Sequence, residues 1–366
     1  MAEKTRSARP SARSMAARYE KAGIRTERLD RLTDILPGLP DPMEHGDREE
    51  LIGREEWESL DTRHRNLAVG FLRRSFLRNR HQLNPPLHFS RTAKNPLFDG
   101  PLRAAIGGPK IVFRYKDYPM AALAPKGTLP LAPLLALVPR LKSTPTEDLS
   151  VILNSRLFHF VWQHYHGKSA AKGGPTAEER LASFRVPMLT KKAGAPFRAV
   201  RDRILELAAE NALRLLEMDR IEKVAKGAGV ALVPLHRTEG IIREINVPRP
   251  LADVTDVKRR GPVVIFRRGS TIVTTTEEAA SYLEFSLQQR FDQLGGMNRD
   301  RIEEFIRMPT TTAHVVVVLQ HRARIEAEVD RAQSRIDELQ QEAEERLYDV
   351  YGFTPQEREY LRSGNV

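Results

Sequence analysis

The sequence contains no cysteine among its 366 residues and no long apolar run. The lack of cysteine excludes disulfide bonds, thiolate zinc sites, iron–sulfur clusters and cysteine nucleophiles, and it fits a reducing compartment. The most apolar stretch, residues 129–138, is interrupted by Pro130 and Pro133 and falls short of the ~20 apolar residues that span a bilayer. We therefore expect a cytoplasmic protein without a membrane partner.

Motifs for catalysis and cofactor binding are also scarce. We find no Walker lysine motif, serine-hydrolase elbow or compact carboxylate cluster, and the pairs Gly107-Gly108 and Gly295-Gly296 are not part of a glycine-rich strand-to-helix turn. The spacings of His159, His164 and His166 do not share one helix face, so no metal site is expected. The sequence thus predicts no catalytic residue, no metal and no cofactor held by this chain.

One short segment invites a different interpretation. Asn84-Pro85-Pro86-Leu87 is similar to the Asn-Pro-Pro-aromatic motif of amino-methyltransferases, in which the ring stacks on an extruded base. Leu87 replaces that ring, and no adenosylmethionine-binding loop precedes the segment. We interpret it as a proline-rich turn. The alternative is a divergent adenine-N6 DNA methyltransferase that uses Asn84, Pro85 and Pro86.

The charge is strongly unbalanced. Lys and Arg together number 59 against 48 Asp and Glu, which gives a formal net charge of +11. Such a surplus favours a polyanionic partner such as nucleic acid, although it also serves solubility. Residues 1–50 include a basic segment rich in Ser and Ala, which we expect to form a flexible basic arm.

Periodicity predicts β-rich blocks that alternate with long helices. Strands are expected at Lys110–Tyr115, Val263–Arg267 and Val315–Leu319 among others, and a helix is expected after Pro145 with Asp148 or Ser150 as its cap. The predicted domains are a basic arm (1–50), N-terminal helices with a first β-rich target-recognition block (51–195), a long helix (196–227), a second β-rich block or insertion (228–318), and a C-terminal long helix with its cap (319–366).

Two seams support the long helices. Val200, Ile204 and Leu207 have helical spacing, and Ile325, Val329, Ile336 and Leu339 alternate spacings as in a coiled coil. The predicted fold class is therefore α+β, with β-rich blocks joined by long helices that pack as an antiparallel coiled-coil-like stalk. The alternative is an ordinary α+β protein whose helices cover its sheets.

Four segments carry a family resemblance. Lys110–Arg114, Leu153–Phe158, Arg185–Met188 and Leu347–Glu357 occur in this order, and together they resemble the TaqI-like C-terminal specificity domain of gamma-class adenine-N6 DNA methyltransferases and restriction-modification enzymes. The family's catalytic half does not precede them. Residues 228–318 look like an insertion, which implies either a doubled recognition surface or an elaborated single one.

The matched residues also have structural explanations. Asn154 and Ser155 are expected to satisfy backbone groups near a helix start. Thr354 and Glu357 have the spacing of a capping box.

We expect the DNA contacts to come from strand ends and loops where cations gather beside aromatic side chains. The candidates are Lys110, Arg114, Lys116, Tyr118, Lys191 and Lys192 in the first block, and Arg259, Arg260, Arg267 and Arg268 in the second.

The resemblance implies a non-catalytic specificity module of a DNA methylation or restriction-modification system. It would bind duplex DNA and dock on a methyltransferase or nuclease partner that holds S-adenosylmethionine, with Ile325, Val329, Ile336 and Leu339 on the partner or dimer helix. A second alternative is a helical interaction protein that dimerises through these residues.

Overall fold

The computed structural model describes residues 25–42, 51–74, 77–84, 86, 88–91, 105–115, 119–141, 144–166, 176–251, 257–266, 269–288 and 294–363. The predicted arm at 1–24 and 43–50 lies outside them. The chain divides into two compact units, one formed by Met1–Ala212 with Gln333–Val366 and the other by Leu213–Ala332.

The first unit is rich in short strands. In chain order, its elements up to the first long helix are β1 (Thr26–Arg28), α1 (Leu29–Leu32), β2 (Thr33–Pro37), β3 (Leu51–Gly53), α2 (Arg54–Ser59), α3 (Thr62–Leu67), β4 (Val69–Leu72), β5 (Leu77–Asn79), β6 (Gln82–Leu83), β7 (His88–Ser90), β8 (Lys110–Arg114), β9 (Met120–Ala124), β10 (Thr128–Pro130), β11 (Leu135–Pro139), α4 (Thr146–Ile152), α5 (Arg156–His166), α6 (Ala177–Ala182), β12 (Arg185–Pro187) and α7 (Ala195–Met218).

The second unit follows α7. The remaining elements are α8 (Ile221–Gly227), β13 (Leu232–Pro234), a 3-10 helix (Leu235–Arg237), β14 (Ile242–Asn246), β15 (Val257–Arg260), β16 (Val263–Phe266), β17 (Thr271–Thr274), α9 (Glu277–Gln288), α10 (Arg299–Phe305), β18 (Arg307–Pro309), α11 (Thr312–Tyr351) and α12 (Pro355–Arg362). The long helices α7 and α11 contribute residues to both units. The chain is thus mixed α and β with long helices, as predicted.

Two four-stranded sheets form the β part of the first unit. One has the order β2-β11-β8-β9 and is antiparallel throughout, and the other has the order β10-β4-β7-β3 with β10 and β4 parallel. The predicted strand at 110–115 is confirmed as β8. It lies inside its sheet, and Ile111, Val112 and Phe113 are fully buried. Residues 25–42, which the sequence analysis grouped with a flexible arm, instead form β1, α1 and β2, because Leu29 and Leu32 enter the core.

The helix predicted after Pro145 begins earlier than expected. Asp148 and Ser150 lie inside α4 and are buried rather than capping it, and the chain turns at Leu153–Ser155 before α5. Asp148 accepts hydrogen bonds from Arg198 and Arg201 of α7. The buried carboxylate of Asp148 thus links α4 to α7 within the first unit.

A four-stranded antiparallel sheet, β14-β17-β16-β15, forms the centre of the second unit. Helix α9 packs on it through buried residues that include Ala279 and Leu283. The predicted strand at Val315–Leu319 is wrong, since these residues belong to α11. Val315 and Val318 are three positions apart and fully buried, so packing of one helix face overrides the strand preference of β-branched residues.

Long helices α7 and α11 pack against each other in the second unit. Leu215 and Met218 form one apolar cluster with Ile325 and Val329. Two ion pairs fix the direction, since Arg214 lies 3.7 Å from Glu328 and Glu217 lies 3.6 Å from His321. A later residue of α7 thus contacts an earlier residue of α11, so the two helices pack antiparallel, as predicted.

The four seam residues of α11 are covered by this chain. Ile325 and Val329 are 4% and 6% exposed, and Ile336 and Leu339 lie in the core of the first unit with Val200. The expectation that these side chains face a partner or a second copy is therefore corrected, because α7 and the first unit's core already bury them.

Both units contain the same short structural repeat. β1 pairs antiparallel with β12, and β13 pairs antiparallel with β18 over the same length. In each unit the N–H after the first strand donates to the carbonyl before the second, from Leu29 to Phe184 at 2.9 Å and from Leu235 to Ile306 at 3.1 Å. A short helix precedes the second strand and a long helix follows it. The chain thus contains this arrangement twice.

Candidate nucleic-acid interface

Lys110 lies in the interior and not on a DNA-facing surface. It is 0% exposed, and its ammonium group donates to the carbonyls of Gly108 at 3.3 Å and Pro125 at 3.1 Å. Burial lowers the pKa of Lys110 to about 8, because a charged group loses its hydration there. The structure corrects the expectation of an exposed phosphate contact, since the side chain is buried and bonded to the loops that contain Gly108 and Pro125.

Arg114, at the end of β8, is half-buried. Its guanidinium group donates to the carbonyl of Leu77 at 3.1 Å and to Met120 Sδ at 3.2 Å. These contacts hold the side chain between β5 and β9, so its first role is to support the sheet. Lys116 and Tyr118, the other candidates of this region, lie outside the described residues.

Lys191 and Lys192 are exposed in the segment that joins β12 to α7. Arg198, in the first turns of α7, supports this segment by donating to the carbonyls of Leu189 at 3.0 Å and Lys191 at 3.4 Å. The Thr190 hydroxyl accepts the N–H of Ala193 at 3.2 Å. Two cations are thus presented by a braced loop at the start of a long helix.

Two neighbouring arginines of the β15–β16 hairpin, Arg259 and Arg260, lie in different environments. Arg259 lies opposite Val264 and forms ion pairs with Glu277 and Glu284 of α9, both at 3.5 Å. Arg260, which points to the other face of the strand, is exposed and has no ion-pair partner in the part of the chain that the structure describes.

Arg259 therefore fastens the hairpin to its helix, and Arg260 is available to a ligand. The turn between the strands contains Gly261 at φ 60°, a conformation that favours glycine. Arg267 and Arg268 lie outside the described residues.

A buried network of polar side chains lies next to β9 in the first unit. The amide of Asn154 donates to the carbonyls of Ala121 at 2.8 Å and Ser150 at 2.9 Å, and it accepts the N–H of Ala121 at 2.9 Å. His81 Nε2 lies 2.8 Å from Gln340 Oε1 of α11. Ser155 accepts the N–H of Phe158. Asn154 and Ser155 thus satisfy backbone groups, as predicted.

Two histidines near this network are kept neutral. Burial lowers the pKa of His81 to about 4 and that of His159 to about 3. The side chains of His164 and His166 are outside the described set. Among the described residues, no group of three or more His, Cys, Asp or Glu could hold a metal ion. His81 and His159 thus belong to the interior packing.

Asn84 and Pro86 of the Asn-Pro-Pro segment pack within the first unit. Asn84 is 4% exposed, and Pro86 fills the space next to Gly70, where even an added Cβ would come within 2.6 Å of the proline ring. The carbonyl of Pro86 accepts a hydrogen bond from Arg54 at 2.8 Å. Pro85 and Leu87 are not described. Asn84 and Pro86 therefore contribute to the packing of the first unit.

Within the described ranges, no helix is long and apolar enough to cross a membrane. Thr354 and Glu357 form the predicted capping box, with the Thr354 hydroxyl accepting the N–H of Glu357 and the Glu357 carboxylate accepting the N–H of Thr354.

Comparison with known proteins gives structural likenesses alone. Neither a scan against protein-family models nor a search of curated proteins finds a match. The HsdS subunit from Thermoanaerobacter tengcongensis is similar over 90% of this chain and 96% of that chain, with 14% identity and a TM-score of 0.34.

Two further solved structures are similar to the chain. A structure concerned with complex assembly and conformational transition of the type I R-M system covers 90% of this chain and 97% of that chain, with 12% identity and a TM-score of 0.34. The type I restriction-modification S subunit from M. genitalium covers 89% and 96%, with 9% identity and a TM-score of 0.33.

Proposed function

We propose that the chain is a non-catalytic DNA sequence-recognition subunit of a restriction-modification or related adenine-methylation system. The observation that carries this proposal is the repeat, in which each unit joins the same strand pair to a long helix. A doubled framework of this kind supports two recognition units rather than one elaborated unit. The net charge of +11 supports a polyanionic ligand.

Each unit has exposed cations that support this proposal. In the first unit these are Lys191 and Lys192, on a loop braced by Arg198. In the second unit Arg260 lies at a hairpin tip that Arg259 fastens to α9. Lysines act chiefly on phosphates, whereas the guanidinium fork of Arg260 can also pair with a guanine edge.

The partner of this subunit would carry out the chemistry. In this proposal the methyltransferase or nuclease subunit holds S-adenosylmethionine or the catalytic groups, and it docks on the long helices. Leu213 of α7 is 69% exposed and Val317 of α11 is 41% exposed, and both are candidates for that contact in the second unit.

Fluorescence polarisation with labelled duplex DNA tests the proposal. We expect binding by the full-length chain whose affinity falls with salt, because phosphate contacts release counterions. A competition series with random duplexes should then reveal a preferred sequence. Binding that is absent at every salt concentration, both for the chain alone and in the presence of a candidate methyltransferase subunit, contradicts the proposal.

Calorimetry with S-adenosylmethionine separates the proposal from a divergent methyltransferase. The isolated chain should give no heat of binding, and tight binding would favour the enzyme instead.

A further inference from the structure

Three segments of the first unit converge beside α3. The N–H of Gly70 donates to the carbonyl of Gly127 at 2.7 Å, and the N–H of Gly127 donates to the carbonyl of Ile106 at 2.9 Å. Buried Lys110 binds the same two loops, since its ammonium group donates to Gly108 and Pro125. The turn that contains Lys126 is therefore fixed next to the chain that leaves α3.

Helix α3 ends at this junction. The N–H of Ala68 donates to the carbonyls of His64 and Arg65, at 3.1 and 3.3 Å. A Cβ built on Gly127 would lie 3.6 Å from the carbonyl oxygen of Ala68. α3 has only six residues, with Arg63 near its start and Arg65 in its last turn. The cations of this short helix and of the Lys126 turn consequently belong to one neighbourhood, although they are far apart in sequence.

Arg63, Arg65 and Lys126 form no ion pair in the part of the chain that the structure describes. The carboxylate beside them is that of Asp61, which caps α3 through the N–H of His64 at 2.9 Å and lies 2.8 Å from His64 Nδ1.

Elsewhere in the first unit, many arginines have acidic partners, as shown by the pairs Arg28–Asp30, Arg54–Glu58, Arg73–Asp41, Arg91–Glu56, Arg140–Asp34, Arg335–Glu338 and Arg358–Asp349.

Two further features open this surface to a ligand. Leu67, in the last turn of α3, is 50% exposed. Gly107 and Gly108 have no atom within 4 Å of an added Cβ, so a ligand can approach the main chain closely there. Phosphate oxygens accept hydrogen bonds from cationic side chains.

We infer that Arg63, Arg65 and Lys126, here called the α3 basic cluster, form a phosphate-binding surface through which the first unit contacts the backbone of duplex DNA. The inference rests on the proposed function and extends it to residues outside the sequence-predicted set. The cluster supplies affinity and register, and it does not read the bases, because phosphate contacts carry no direct sequence information.

The test uses the full-length chain with Arg63→Gln and Lys126→Gln combined. The matched control combines Arg91→Gln and Arg140→Gln, which remove two exposed arginines of the same unit that are paired with Glu56 and Asp34. Polarisation titrations with one duplex at several salt concentrations give the affinity and its salt slope. Circular dichroism melting checks that both variants fold as the wild type does.

For the cluster variant we expect an affinity loss of roughly tenfold at low salt. The slope of log affinity against log salt concentration should be smaller by about 2, since each lost phosphate contact reduces this slope by about 0.9. The control should stay within about twofold of the wild type. If the wild type binds and the cluster variant matches the control in affinity and slope, the cluster has no such role and the proposed function stands. If the wild type itself does not bind DNA, both proposals fail.

Discussion

Asn154 and Ala121 form a two-way hydrogen bond in which a side-chain amide takes the place of a neighbouring strand. The Asn154 side chain accepts the N–H of Ala121 at 2.9 Å and donates to its carbonyl at 2.8 Å. Ala121 lies on β9, the last strand of the sheet order β2-β11-β8-β9. Asn154 thereby satisfies backbone groups of an edge strand within the core, where water cannot replace it.

Replacing this amide should destabilise the first unit. Asn154→Ala leaves the N–H of Ala121 without its partner, so we expect a loss of about 3 kcal/mol in the free energy of unfolding. Urea denaturation followed by circular dichroism measures it. Asn66→Ala, at an exposed position of α3, is the control and should change stability by less than about 0.5 kcal/mol. Equal stability of the two variants would contradict the role of Asn154.

Lys110 should make stability rise at alkaline pH. Burial lowers its pKa to about 8, against about 10.4 in an unfolded chain. Between these values the unfolded chain binds the proton and the folded chain does not, so folding becomes more favourable as pH rises through this window. Relative to Lys110→Met, the wild type should gain about 2–3 kcal/mol between pH 7 and pH 10.

The same comparison tests where Lys110 lies. Urea denaturation at pH 7, 8.5 and 10 follows the difference between the wild type and Lys110→Met, and a flat difference would mean that the side chain is solvated. The DNA affinity of the variant should remain within about twofold at pH 7, because a phosphate contact by Lys110 would cause a larger loss.

Acid should destabilise the chain through His81. Its pKa is lowered to about 4 by burial, while the unfolded value is about 6.5. As pH falls from about 6.5 towards 4, His81 binds a proton in the unfolded chain but not in the folded chain. The free energy of unfolding should therefore fall by about 2 kcal/mol by pH 5.

Substitution should flatten this pH profile. His81→Asn keeps a residue type that tolerates the φ of 62° at this position, and its stability should change less between pH 7.5 and pH 5. Thermal melts across this range provide the measurement, and identical profiles for the wild type and His81→Asn would show that His81 is not the group responsible.

The two neighbouring arginines of the β15–β16 hairpin should behave differently. Arg260→Ala is expected to weaken DNA binding and, if it contacts a phosphate, to reduce the salt slope by about 1. Arg259→Ala removes the ion pairs to Glu277 and Glu284, which are partly exposed, so its effect on stability should be under about 1 kcal/mol. Polarisation titrations compare them. An unchanged affinity for Arg260→Ala would remove it from the interface.

Helix α11 should tolerate no charge on its buried seam. Ile336 is 0% exposed, and Ile336→Glu should destabilise the chain by more than about 4 kcal/mol, because a carboxylate is buried without a partner. Leu213→Glu, at a side chain 69% exposed, should fold normally and impair only partner docking. Urea denaturation measures the stability of each variant, and size-exclusion chromatography measures its oligomeric mass. A folded Ile336→Glu protein with altered oligomeric mass would favour the helical dimer.

Sequence patterns predicted the elements whose signals are local. The β-branched run of β8, the capping box at Thr354 and the helical seam from Ile325 to Leu339 follow from strand preference, spacing and side-chain chemistry. The repeat also leaves a trace, since Arg185-Val186-Pro187 and Arg307-Met308-Pro309 each precede a long helix. Three residues are too short a match to identify a repeat without the strand pairing.

The sequence did not reveal which cationic side chains are exposed and which are buried, because this depends on the tertiary structure. Lys110 and Arg114 begin and end one strand, and the sequence analysis assigned both to DNA, yet neighbouring loops cover the first and β5 and β9 hold the second. Likewise Arg259 and Arg260 are adjacent, and the pleat of β15 sends them to opposite faces. The valine run at the start of α11 became helical because a core was available to one of its faces.

The sequence by itself determined a basic chain without cysteine in which strand-rich blocks alternate with amphipathic helices, because composition and periodicity are properties of neighbouring residues. Only the tertiary structure decided which cations remain unpaired and which distant segments meet, as those of Ala68 and Gly127 do. The physical reason is that ion pairing and desolvation depend on distances across the fold, which spacing along the chain does not encode.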